Sequence, residues 1–130
     1  MKNTVTLIIT SLVTILFATL HLADDIVRGF SPGGLSNLGA ILFLVIWLYA
    51  TVALPERRPG LVIILVGSLL ASGLPIIHMT GKGLGGGRLV GSTGHFFFVW
   101  TLIAVGVTAI FSVVLSVRGL WNLRQGRPRT

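Results

Sequence analysis

The chain carries three histidines, His21, His78 and His95, and three acids, two of which stand side by side as Asp24 and Asp25. Neutral imidazole and carboxylate are the usual ligands of Zn²⁺ and, with adjusted geometry, of Cu²⁺ or Fe²⁺. On a helix, His21 faces the same way as Asp24 at i+3 and Asp25 at i+4. Two donors could thus come from one helix, with His78 and His95 supplied by its neighbours. Arg28 lies i+4 from Asp24 and i+3 from Asp25, and can neutralise whichever carboxylate is spare. His21, Asp24, Asp25, His78 and His95 are therefore the candidate metal ligands, with Arg28 in a charge-balancing role.

Other chemistries compete for the same residues. Two histidines on different helices can ligate haem axially; Arg28 or Arg88 would then meet the propionates, and Phe96 to Phe98 with Trp100 would line a flat apolar pocket. Haem leaves the Asp pair unexplained. A proton or substrate relay uses the same groups without a metal. The simplest account is structural: His21 makes a hydrogen bond, while Asp24, Asp25 and Arg28 form an interfacial ion pair anchoring a helix end. The chain has no cysteine, which excludes thiolate metal sites, Fe–S clusters and disulfides. No nucleophile elbow surrounds Ser72 or Ser92, so a Ser-His-Asp hydrolase is not supported.

Between His78 and His95 runs a glycine-rich segment containing Gly81, Gly83, Gly85, Gly86 and Gly87. It includes a formal G-x-G-x-x-G, but no strand precedes it and no βαβ unit fits, so it is not read as a nucleotide loop. A flexible connection is the ordinary reading. A lid over the His/Asp cluster is the sharper one.

The elements that must position these residues follow from composition. Of 130 residues, 53% are hydrophobic and only 10% charged, with a mean hydropathy of +0.95. A soluble domain needs about a quarter charged residues, so lipid is the expected solvent. A membrane helix needs about 20 apolar residues, and four stretches qualify: residues 4–23, 38–54, 61–79 and 96–117. The second is short, and Gly33 to Asn37 can extend or cap it. The first resembles a signal peptide but is read as retained, since a cut after Ala23 would put His21 at the small-residue −3 position. The net charge of +7 would suggest nucleic acid in a soluble protein; here basic flanks of membrane helices explain it, and no nucleic-acid partner is expected.

Orientation follows from Lys and Arg. With the N-terminus inside, seven basic residues (Lys2, Arg57, Arg58, Arg118, Arg124, Arg127 and Arg129) are cytoplasmic and three (Arg28, Lys82 and Arg88) are outside. Both termini are then cytoplasmic, in a plasma (inner) membrane, with residues 118–130 a basic cytoplasmic tail, frayed beyond Trp121. Residues 55–60, Pro-Glu-Arg-Arg-Pro-Gly, form a tight inner hairpin. All three histidines and both Asp residues collect at the outer face.

Membrane helices pack through small residues and shared polar groups. Ser11, Thr14, Ala18, His21, Asp25 and Arg28 form one stripe on the first helix. Gly67, Ala71, Leu74 and His78 form another on the third, and His95, Leu102, Gly106, Ala109 and Ser116 fall near one face of the fourth. The expected fold is all-α: a single-domain integral membrane protein, an antiparallel four-transmembrane-helix bundle over residues 1–130. The expected function is a polar His/Asp site binding a divalent metal at the outer face. The alternative is a non-catalytic subunit of a larger membrane complex, docking a second copy or partner membrane subunits.

Overall fold

The structure is a computed structural model that describes residues 2–31, 33–79 and 94–126. It contains helices α1 (Lys2–Val27), α2 (Leu38–Ala53), α3 (Arg58–Met79) and α4 (His95–Arg124), with a 3₁₀ turn at Gly34–Asn37 leading into α2. The described residues are all-α, without a strand. Each of the four helical segments is long and apolar enough to cross a membrane, the second only when counted from Gly34. The glycine-rich segment Gly81 to Gly87, read as a flexible connection or more sharply as a lid, lies outside the described residues.

Three boundaries differ from those read off the sequence. Helix α1 continues to Val27, so Asp24 and Asp25 sit within its last turn. Helix α3 starts at Arg58, and Pro59 takes a place in the first turn, where a missing N–H leaves no bond unmade. Gly60 is required there, because a Cβ would collide with the Leu54 carbonyl across the hairpin. Helix α4 runs through Arg124, so Asn122 to Arg124 are helical rather than frayed. The apolar periodicity carries it on: Gly119 is buried and Leu120 packs against the core.

The helices form a bundle in which α4 packs on α3 and α1, while α2 packs on α3 and less extensively on α1. Helices α2 and α4 make no contact and occupy opposite corners. Asn3, Thr4 and Leu7 meet Leu115, Arg118 and Gly119, so α1 and α4 run in opposite directions. The outward faces stay apolar; α2 alone exposes Ile41, Leu42, Val45 and Val52. The small-residue stripes point inward, with Ser11, Thr14, Ala18, Ala71, Gly106 and Ala109 buried.

Where stripes meet, the contact is close. The indole of Trp47, 1% exposed, lies against Gly67, at which a Cβ would stand 2.5 Å from the ring. The Pro75 ring lies against Gly106 in the same way, at 2.9 Å. The indole also donates to Ser11 Oγ (3.0 Å), and Thr51 Oγ1 donates to the Trp47 carbonyl (2.9 Å). With the Thr51 proton committed, Ser11 must be the donor in its 2.8 Å bond to Thr51. One indole thus ties α1 to α2 and seats α3.

Candidate metal centre

The C-terminal ends of α1 and α3 and the first turn of α4 meet at the end of the bundle opposite Lys2. His21, 1% exposed, points inward from α1, and Asp25 follows one turn later on the same face. His78 arrives from the last turn of α3. The two Nε2 atoms are 3.1 Å apart, and Asp25 Oδ2 stands 3.7 Å from His21 Nε2 and 3.6 Å from His78 Nε2. Either ring can be the donor between the histidines, according to tautomer.

These separations suit a cation. Ligand atoms around a tetrahedral Zn²⁺ stand about 3.3 Å apart, close to the observed values. The circle through the three atoms has a radius of about 2.0 Å, so drawing them together by about 0.2 Å on average gives the spacing of a tetrahedral Zn²⁺ site. Among the described residues, this is the group of His, Asp and Glu side chains close enough together to hold a metal ion. Three protein ligands leave a fourth position for water or another donor, the usual arrangement in catalytic zinc sites.

The surroundings are apolar. Phe98, fully buried, lies with its centroid 4.9 Å from that of His21 and 5.3 Å from that of His78. Phe30 covers Phe98 at 6.0 Å. The chain reaches that point through the cap of α1: Gly29, at φ 73°, donates to the Ile26 carbonyl, and Phe30 donates to the Asp25 carbonyl at 2.8 Å. This pair of bonds is a Schellman motif, and its left-handed residue is why glycine stands at position 29. The cap fixes the Asp25 backbone and brings Phe30 onto Phe98 at once.

Asp24 turns elsewhere. Its Oδ2 accepts from Arg28 Nε at 2.7 Å. The guanidinium packs flush on Gly94, where a Cβ would collide with it, and stands 6.0 Å from the Phe98 centroid. Arg28 thereby fastens the start of α4 to the end of α1, and the carboxylate left for the histidines is Asp25.

His95 is not part of the close group. It lies one turn before Phe98 on α4, half-buried, and its Nδ1 has no partner among the described residues. The aromatic pocket expected for haem does not form, since Phe96, Phe97 and Trp100 face outward and only Phe98 turns in. The two Nε2 atoms at 3.1 Å also leave no gap for a macrocycle, whose axial ligands stand about 4 Å apart across the iron.

No protein family, curated protein or solved structure matches the chain. What the site can do must come from its own chemistry. Asp25 Oδ1 is buried without a partner among the described residues, and Oδ2 faces only the two imidazoles. A carboxylate withdrawn from water needs a positive neighbour. Two imidazoles whose Nε2 atoms nearly touch cannot both carry a proton there, so the group has room for one cation, a shared proton or a metal ion.

Proposed function

We propose that this chain is a four-pass membrane protein that holds a divalent metal ion, Zn²⁺ foremost with Cu²⁺ and Fe²⁺ as alternatives, on His21, His78 and Asp25. The observation that carries the reading is the triangle of donor atoms at 3.1, 3.6 and 3.7 Å, drawn from two helices. The Asp24–Arg28 pair supports it by removing the second carboxylate, which leaves a site with one negative charge for a doubly charged ion. His95, whose Nδ1 is without a partner among the described residues, stands outside the triangle one helical turn from Phe98, and a fourth ligand is left to water or another donor. The basic bias in the sequence puts both termini in the cytoplasm and this centre at the outer face of a plasma (inner) membrane.

The test is metal content. Wild-type protein purified without chelator and supplemented with Zn²⁺ should hold one ion per chain, and His21→Ala, His78→Ala or Asp25→Asn should hold little. A metal-free wild type sinks the proposal and leaves the shared proton, hence a relay or a purely structural cluster. In that event the apolar outer face of α2 becomes the feature to explain, as a surface for partner membrane subunits or a second copy.

A further inference from the structure

At the other end of the bundle, α3 and α4 separate to leave a cleft of about 700 Å³. Its walls are apolar, formed by Val62, Val117, Leu120 and Trp121, and its rim carries Arg58 and Arg124. Val62, Val117 and Trp121 are 43%, 48% and 57% exposed, so none of the described residues fills the space. Neither arginine has an ion-pair partner among the described residues. The acid at this end, Glu56, is exposed and makes no ion pair either. Lys2, Arg57 and Arg118 add to the positive field around the rim.

We infer that this cleft binds one anionic phospholipid, its phosphate against Arg58 and Arg124 and an acyl chain along Val62 and Val117. The inference rests on the membrane reading above. Three features select this occupant. The volume suits a headgroup with the upper part of a chain. Two guanidiniums on one cleft suit a phosphate diester, since planar donors meet phosphate oxygens in pairs. The cleft is lined by apolar side chains as well as the two charges, so a free phosphate would leave most of it empty. Trp121 beside the rim is the residue type found at headgroup depth, and basic pockets between membrane helices on the cytoplasmic side are where such lipids bind.

The experiment is native mass spectrometry of the full chain released from micelles doped with equal phosphatidylglycerol and phosphatidylcholine. The expected result is one retained phosphatidylglycerol per chain, unaffected by millimolar inorganic phosphate. Arg58→Gln with Arg124→Gln should lower the preference about tenfold, while Arg57→Gln, outside the cleft lining, should lower it far less. Val117→Trp keeps both arginines and fills the groove, and should lower retention of either lipid. Equal retention of the two lipids, an unaltered preference in the double variant, or displacement by inorganic phosphate overturns the inference. A chain that does not fractionate with membranes at all overturns the reading beneath it instead.

Discussion

The Nε2 atoms of His21 and His78 approach to 3.1 Å across a separation of 57 residues. His78 lies in the last turn of α3, where the helix dipole favours positive charge nearby, and His21 stands one turn before Asp25 on α1. With Asp25 added, the point between the rings is more negative than either histidine requires alone.

Metal content should therefore follow the triangle and not the wider cluster. His21→Ala and His78→Ala should each weaken Zn²⁺ binding more than tenfold by isothermal titration. Asp24→Asn should change it far less, because its carboxylate is engaged by Arg28. An Asp24→Asn effect as large as that of Asp25→Asn would mean that the two acids exchange roles on binding.

Binding should weaken as pH falls. Both imidazoles must be unprotonated to bind, so protons compete with the metal as the pH falls. Each histidine displaced adds about a tenfold rise in apparent Kd per pH unit. Titration from pH 8 downward checks this, and an apparent Kd that does not rise at any pH at which the protein stays folded would exclude histidine ligands.

Arg28→Ala should leave the metal bound yet destabilise the fold. It strands Asp24, whose side chain is 13% exposed, and releases α4 from α1 at Gly94. A loss of about 1–3 kcal/mol is expected for one partner of a largely buried pair. Thermal unfolding in detergent measures it; a variant as stable as wild type would show that the pair does not hold the helix ends.

Gly67→Leu and Gly106→Leu should each cost about 1–3 kcal/mol or more, since the side chains would meet Trp47 and Pro75. Leu69→Ala should cost little, because Leu69 is 51% exposed on the outer face of α3. Chemical unfolding of the three variants gives the comparison, and equal losses would mean the helices can shift apart freely.

The helices were legible because their signal is local: four apolar runs bounded by glycine, proline or charge. The pairing of His21 with an acid was legible too, as an i, i+4 relation on α1. Which acid was not. Asp24 and Asp25 both fit the spacing, and the choice depends on the rotation of α1, set by contacts such as Ser11 with Trp47 and Thr51. His95 and Phe98 likewise share a face of α4, and the sequence alone does not say which turn lies level with His21. Trp47 gave no sign of its role because α2 is apolar on every side. Gly29 could have been read: a glycine shortly after a helical run is a cap signal, and with it comes the return of Phe30 onto Phe98.

The unequal lengths of the helices have a consequence for the surrounding bilayer. Helix α2 has 16 residues and α4 has 30, about 24 Å and about 45 Å of rise respectively. They stand at opposite corners, so once inserted the protein has a short flank and a tall one. Hydrocarbon about 30 Å thick matches neither flank. Lipids beside α2 must thin, or the 3₁₀ turn must sink to lengthen it, while α4 tilts or projects Trp121 to Arg124 beyond the acyl region. Such hydrophobic mismatch costs fractions of a kcal/mol per Å, enough to give the molecule a preferred membrane thickness and a preferred side from which the bilayer is dimpled.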